Sequence, residues 1–330
     1  MSEQELARAA EVAQALRSAV GERIVGQREV VEQLLVALFA GGHALSIGVP
    51  GLAKTLTVQT LAEAMGLGFK RIQFTPDMMP SDVTGSEILE EERATGRRSY
   101  RFVPGPVFSH VLLADELNRT PPKTQAALLQ AMAERRVSAG GQTLVLEPPF
   151  LVLATQNPIE QHGTYPLPEA QLDRFMLAIY VDYPSYDEEV EIVRRTAQGD
   201  LGPLDAVIDR DEVLSIQRLV RSLPVADHVV RDAVRLVRAT RPQEGAMPAS
   251  LQGFIAVGAS PRASQWLVAG ACARAALEGR RTPTLADVRG LAEPVLAHRL
   301  LPSFRAEAEG FDGRALVRKL TEALPIDPRA

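Results

Sequence analysis

The residues Gly48-Val49-Pro50-Gly51-Leu52-Ala53-Lys54-Thr55 stand between a short apolar run and a segment of helical spacing. A polyphosphate needs backbone N–H donors, the positive end of a helix and a cation, and this stretch offers all three. Glycines let the backbone close round the phosphates without side-chain obstruction. Lys54 would then reach the β- and γ-phosphates, and the Thr55 hydroxyl would ligate Mg²⁺. Ala53 stands where the general pattern has glycine, so the stretch alone also fits a glycine turn ahead of a helix. Further on, Val111-Leu112-Leu113-Ala114-Asp115-Glu116 is an apolar run ending in two adjacent carboxylates. Asp115 is placed to hold Mg²⁺ through water, and Glu116 to orient and deprotonate an attacking water. Alone, such a pair marks only where a strand meets solvent; downstream of a phosphate loop it completes a hydrolytic site. Phe150-Leu151-Val152-Leu153-Ala154-Thr155-Gln156-Asn157-Pro158 ends in an amide-rich turn. Asn157 could contact the γ-phosphate or the water, or simply form a turn before proline.

These groups can meet only if strands and helices alternate. Leu6, Ala9, Ala13, Leu16 and Val20 recur at helical spacing, and a second helix runs through Val30, Leu34 and Leu38. Strands are expected at 44–47, 69–74, 111–114, 150–154 and 176–181, with helices at 56–65 and around Leu128, Leu129 and Met132. Strands interleaved with helices imply a parallel sheet covered on both faces. After Tyr183-Pro184-Ser185 the pattern turns helical, with Val213, Ile216 and Leu219, then Val229 to Val237, then Trp266 to Leu277. The expected division is an α/β core over 1–184 and a smaller helical lid over 185–330. The Pro- and Gly-containing segment 241–260 reads as a loop within the lid.

With 330 residues, 46% hydrophobic and 23% charged, the chain can bury one sizeable α/β core plus a smaller unit. A formal net charge of -5 gives the molecule as a whole no attraction for nucleic acid or anionic membrane. The single cysteine, Cys272, excludes an intrachain disulfide and fits a reducing compartment; in Gly270-Ala271-Cys272-Ala273 it reads as a packed thiol. Ser2-Glu3-Gln4-Glu5 has neither the basic nor the apolar region of a signal peptide, and no apolar run has membrane-span length. The expected location is cytoplasmic. His43, His110, His162, His228 and His298 lack metal-ligand spacing.

The ordered motifs resemble those of the AAA+ ATPases and, more closely, of the MoxR family. The phosphate loop matches that family's with alanine at Ala53 included. Further matches are Ile24-Val25-Gly26-Gln27, Asp115-Glu116-Leu117-Asn118-Arg119 and Ala154-Thr155-Gln156-Asn157-Pro158. Pro168-Glu169-Ala170-Gln171-Leu172-Asp173-Arg174-Phe175 and Gly258-Ala259-Ser260-Pro261-Arg262-Ala263 complete the set, which spans about residues 24 to 300. The resemblance implies an AAA+ P-loop core, a parallel sheet sandwiched by helices, followed by an all-helical lid. ATP and Mg²⁺ are the implied cofactors. Val25, Gly26, Gly48, Pro50, Gly51, Leu52, Ala53, Lys54, Thr55 and Leu56 would hold the nucleotide, Val25 and Gly26 on the adenine side. Thr55 and Asp115 would serve the metal.

The same resemblance makes Asn157 sensor 1, Arg262 sensor 2 and Arg174 an arginine finger reaching the neighbouring subunit's ATP. A finger is worth about 10³–10⁵ in rate in related systems. Arg174 has a plainer alternative in an ion pair with Glu169 or Asp173, and Arg262 in a helix cap or a carboxylate contact. Arg119 fits either an approach to a neighbour or a surface ion pair. A finger in trans implies a ring of identical subunits, most often a hexamer in this family.

Two inserts bear on what the ring would act upon. Residues 82–107, with Glu90-Glu91-Glu92 and Arg97-Arg98 around Thr95-Gly96, look like the family's helix-2 insert, a β-hairpin. Residues 137–146 look like the hairpin before sensor 1, with the small neutral tip Ala139-Gly140-Gly141-Gln142 where DNA-moving rings usually offer a cation. Arg97, Arg98, Arg135 and Arg136 nearby read as solvated surface. The leading expectation is ATP hydrolysis driving chaperone-like remodelling, maturation or metal and cofactor insertion, with a von Willebrand factor A domain partner and a client protein. A nucleic-acid-stimulated motor and a slow, nucleotide-dependent assembly regulator are the alternatives.

Overall fold

A computed structural model of the chain describes residues 2–49, 51–91, 98–139, 141–157, 163–197, 202 and 204–326. The chain opens with α1 (Glu3–Arg23), started by a capping box in which Ser2 and Glu5 satisfy each other's backbone N–H. Helix α2 (Arg28–Ala40) ends at Gly41 in the left-handed region, where only glycine pays no steric cost. The core follows as β1 (Ala44–Ile47), α3 (Lys54–Ala64), β2 (Phe69–Gln73), α4 (Pro80–Thr84), β3 (Gly85–Glu91), β4 (Arg98–Pro104) and β5 (Val111–Asp115). Then come α5 (Pro122–Glu134), β6 (Arg136–Ala139), β7 (Gln142–Val145), β8 (Leu151–Gln156), α6 (Glu169–Leu172) and β9 (Leu177–Tyr180).

Strands β2, β5, β8, β1 and β9 lie in that order in one parallel sheet. Apart from the edge strand β2, Phe-Lys-Arg-Ile-Gln and mostly exposed, their near-continuous apolar sequences are those of strands covered on both faces. Alternate residues serve opposite cores. Leu45, Leu112, Ala114, Val152 and Ala154 face the side of α5, whereas Ala44, Val111, Leu113, Leu151, Leu153, Leu177 and Ile179 face the side of α1, α2 and α3. In register, Ile47 pairs with Gln156 and Tyr180, and Gln73 with Asp115. The C-terminal ends of all five strands therefore share one edge, the edge at which open α/β sheets bind ligands.

Beyond β9 run α7 (Tyr186–Ala197), α8 (Arg210–Ser222), α9 (Asp227–Arg238), β10 (Ile255–Val257), α10 (Pro261–Leu277), α11 (Leu285–Gly290), α12 (Ala292–Leu296), β11 (Leu301–Pro302), α13 (Phe304–Ala308) and α14 (Gly313–Ala323). The expected loop 241–260 contains two 3-10 turns, Pro242–Glu244 and Ala249–Leu251, and β10, which pairs antiparallel with β11. The C-terminal part is thus helical apart from this two-stranded ladder. Short apolar stretches flanked by Pro and Gly carry no strand signal by themselves; the partner that makes β10 a strand lies far along the chain.

One core continues from the sheet through α1, α2 and α3 into α8, α9, α10, α12 and α14. Cys272 is buried in it, and burial raises its thiol pKa to about 11. Both inserts are antiparallel hairpins, β3 with β4 and β6 with β7. Arg98 pairs with Glu91, Arg135 donates to the Gly41 carbonyl and Arg136 to that of Glu134, so these cations are engaged within their own surroundings. Glu92, Thr95, Gly96, Arg97, Gly140 and His162 lie outside the described residues. No helix among the described residues is long and apolar enough to cross a membrane.

Candidate active site

Strand β1 delivers the chain to Gly48 beside Val181. A Cβ on Gly48 would lie 2.5 Å from the Val181 carbonyl oxygen, so this turn admits glycine alone. Gly51 (φ +84°) and Ala53 (φ 53°) then curl the backbone into the first turn of α3. No side chain caps that helix, which leaves the N–H groups of its first turn, from Lys54, Thr55 and Leu56, for an outside acceptor. Lys54 Nζ donates to the Gly48 carbonyl at 2.5 Å. Burial lowers the Lys54 pKa, and the charge of Asp115 opposes that drop, so the two groups sense each other across the loop. Pro50 lies outside the described residues.

Strand β5 ends in the carboxylate pair. Asp115 Oδ1 accepts from Thr155 Oγ at 2.6 Å, and Oδ2 from Arg71 Nη2 at 2.6 Å. Glu116 adopts the left-handed conformation (φ 57°, ψ 47°), which swings its side chain off the strand direction. Its backbone N–H donates to Thr155 Oγ at 2.8 Å. Its Oε2 accepts from Gln73 Nε2 and from Arg119 Nη1, each at 2.7 Å. Arg71 Nη2 also donates to Gln73 Oε1 at 2.5 Å, which turns the Gln73 amide nitrogen toward Glu116. A single chain of hydrogen bonds thus runs from Asp115 through Arg71, Gln73 and Glu116 to Arg119. The ion pair considered for Arg119 exists, and its acid is Glu116.

Asn157 is buried just beyond β8, beside Gly48, whose N–H donates to the Gln156 carbonyl. The sheet therefore brings Lys54, Thr55, Asp115, Glu116 and Asn157 to one edge. Asp115 and Thr55 themselves offer only oxygen ligands, and no group of three His, Cys, Asp or Glu able to hold a metal occurs among the described residues. Such a sparse hard-oxygen set fits Mg²⁺, which keeps several waters and completes its shell with substrate phosphates.

Next to the loop opens a cleft of about 780 Å³, walled by Ile24, Val25, Leu52, Leu56, Tyr180 and Tyr183 among others. These apolar walls suit the faces of a nucleoside base, and Arg28, Glu29, Glu63, Asp182 and Glu188 in the same lining add polar groups around them. Gly26 is not part of that wall; it sits behind it (φ +69°), where a Cβ would lie 2.4 Å from a Glu188 carboxylate oxygen. Gln27 joins this wall to the loop, donating to the Leu52 carbonyl at 2.7 Å and accepting from Thr57 Oγ at 3.3 Å.

The two remaining arginines lie elsewhere. Arg174 precedes β9, hence sits toward the N-terminal edge of the sheet, while the phosphate loop is at the C-terminal edge. Four residues of β9 separate the two edges by about 13 Å. Arg174 forms no ion pair among the described residues; neither Glu169 nor Asp173 takes it. Asp173 is instead bound by Arg299 (2.8 Å), Ser260 Oγ (2.9 Å) and Arg262 (3.4 Å). Arg262 thus makes the carboxylate contact, Ser260 caps α10, and Arg262 stands with the Arg174 segment through Asp173.

Arg71, Gln73 and Arg299 have no motif of their own in the sequence, and Gln27 stood in the Ile24-Val25-Gly26-Gln27 match without a role assigned to it. Gln73 alone carried a hint, since it ends a strand beside the one that bears the acidic pair.

A phosphate loop between the first strand and its helix, an acidic pair on the second-next strand and an amide on the strand between them define a P-loop ATPase of the AAA+ class. The family model described as ATPase family associated with various cellular activities (AAA) matches residues 43–177, and the AAA lid domain matches residues 251–320. Chaperone MoxR1 of Mycobacterium tuberculosis is 44% identical over 306 residues, 92% of this chain and 79% of that protein. Protein YeaC of Bacillus subtilis is 40% identical over 92% of this chain and 91% of its own. A solved structure from Cytophaga hutchinsonii superposes with a TM-score of 0.90 at 39% identity over 98% of both chains. The chain belongs to the MoxR family of AAA+ ATPases, and it binds nucleotide and hydrolyses ATP.

Proposed function

We propose that the chain assembles into a homo-oligomeric, hexameric ring with ATP sites shared between subunits, and that hydrolysis there drives chaperone-like remodelling or maturation of a client protein, including metal or cofactor insertion. Lys54 holds the β- and γ-phosphates, Glu116 takes the proton of the attacking water, and Asn157 contacts the γ-phosphate or that water. Val25, Leu52 and Leu56 receive the base. Mg²⁺, held through Thr55 and Asp115, would neutralise charge on the phosphates. Arg174, with Arg262 beside it, serves the neighbouring subunit's ATP.

The observation that carries this reading is the position of Arg174. It is a half-buried guanidinium without a counter-charge among the described residues, on the sheet edge away from its own loop. A neighbour's triphosphate would supply the missing anion. The cleft is also open to a partner: Tyr183 in its wall is 75% exposed, Tyr186 at the start of α7 is 82% exposed, and α7 buries no residue. The client reading draws on the name of the relative Chaperone MoxR1 and on the hairpin of β3 and β4, where the cross-strand pair Leu89 and Tyr100 is exposed. Exposed apolar side chains suit a polypeptide better than a phosphate backbone. A von Willebrand factor A domain protein as partner, and a cytoplasmic location, remain part of the proposal.

A second reading, a slow ATPase that regulates assembly, is favoured by one observation: Glu116 is held by both Gln73 and Arg119. Steady-state hydrolysis by wild type beside Glu116→Gln, with nucleotide binding and mass measured in parallel, tests the site. The variant is expected to bind ATP and stay assembled while turnover falls about 10²–10⁴-fold. Equal turnover would remove Glu116 from the chemistry. Stimulation by DNA with a steep salt dependence would replace the client reading with a nucleic-acid motor.

A further inference from the structure

Arg299 lies in the 3-10 turn Ala297–Arg299 between α12 and β11, and only 6% of it is exposed. Its Nε donates to Asp173 Oδ1 at 2.8 Å. Its Nη2 donates to the carbonyls of Asp173 (3.1 Å) and Phe175 (2.5 Å), and its Nη1 to those of Met176 (3.2 Å) and Val295. A guanidinium is buried at great cost unless its charge is matched and its donors are used; here residues 173–176 meet both conditions, with the Val295 carbonyl of α12 taking one donor more. Burial lowers the Arg299 pKa to about 10, which leaves it charged at neutral pH, with Asp173 opposing the drop.

The contacts straddle Arg174. Asp173 precedes it, Phe175 and Met176 follow it, and all three are gripped while the Arg174 side chain itself takes no ion pair among the described residues. The other carboxylate oxygen of Asp173 takes Ser260, the cap of α10, and Arg262. A segment that belongs to the sheet by chain order is therefore oriented by residues of the C-terminal helical part.

We infer that Arg299, through Asp173, is a positioning residue for Arg174, setting from the C-terminal helices the direction in which that arginine reaches the neighbouring subunit. This rests on the reading of Arg174 as a finger in trans. The planar fork of five donors is the operative feature, so lysine, with a point charge and three donors, cannot reproduce it.

The test is complementation between variants. Arg299→Lys and Arg299→Met are each assayed alone and in mixture with excess Glu116→Gln, beside Arg174→Ala treated in the same way. Alone, Arg299→Lys should lose about 10²-fold in kcat with KM for ATP nearly unchanged, the effect of a misplaced catalytic group. Mixed with Glu116→Gln, which lacks its base but keeps a correctly held Arg174, it should regain activity as Arg174→Ala does. A merely structural role cannot be rescued by a neighbour. Wild-type kcat in Arg299→Lys and Arg299→Met overturns the inference, and so does rescue of Arg174→Ala without rescue of Arg299→Lys. Failure of both mixtures overturns the finger reading itself, and this inference with it. If the methionine variant does not fold, the lysine variant decides.

Discussion

The hydroxyl of Thr155 does two jobs with one oxygen. It donates to Asp115 and accepts from the backbone N–H of Glu116, and the residue is 3% exposed. Removing it leaves a buried N–H without an acceptor, at a cost of about 1–3 kcal/mol. Thr155→Val keeps the shape and loses both bonds. It should lower unfolding stability by about that amount and reduce kcat by about 10²-fold, since both carboxylates lose their alignment. Denaturant titration and steady-state hydrolysis check the two parts separately. An unchanged kcat would mean that Arg71, Gln73 and Arg119 suffice to hold the pair.

At the scale of elements, strain gathers where strands hand over to the site. Gln27, Ala53 and Glu116 are three of the four non-glycine residues with positive φ among the described residues; each stands at the start of a helix or turn, Gln27 and Ala53 in the cleft wall and Glu116 just after β5. Such conformations persist where surrounding structure enforces them, and they concentrate at functional sites. Ala53→Gly should therefore relieve strain, raising unfolding stability by about 0.5–1 kcal/mol with nucleotide affinity preserved. Calorimetric binding and denaturant unfolding would show it. A loss of stability would mean that glycine's greater unfolded-chain freedom outweighs the relief. The elements themselves were legible: the expected strands and helices lie within a few residues of β1, α3, β2, β5, α5, β8 and β9, because apolar period is a local property. The ladder of β10 and β11 was not, because neither strand is long enough to carry a pattern.

For the whole molecule the buried histidines set an acid limit. His43 Nδ1 accepts from the Val152 N–H, its ring packs edge-on against Phe150, and burial pushes its pKa from 6.5 to about 4. His298 is also pushed well below its ordinary value, by burial and then by the charge of Arg299. The unfolded chain takes up these protons near pH 6.5 and the native chain does not, so stability is lost as pH falls below that value. For His43 alone the loss is about 2 kcal/mol by pH 5 and about 3 kcal/mol by pH 4. Denaturant unfolding at about pH 7.5 and about pH 5 should show the fall, and His43→Gln should flatten it while costing stability at the higher pH. An equal slope in that variant would place the acid sensitivity elsewhere.

What the sequence by itself determined is the phosphate loop, the strand that ends in Asp115 and Glu116, and the amide turn at Asn157. Each depends on neighbours in the chain: backbone N–H groups at a helix start, apolar period, and the point where a strand reaches solvent. Family motifs extended that reading to Arg174, as a finger toward the neighbouring subunit, and to Arg262, without saying which subunit's site Arg262 faces. Only the tertiary structure decided that Asp173 is claimed by Arg299, Ser260 and Arg262, that Arg71 and Gln73 join the two carboxylates, and that Gly48 must be glycine because Val181 passes beside it. Those are meetings of residues far apart in the chain. Their geometry follows from strand register and helix packing, which no local spacing encodes.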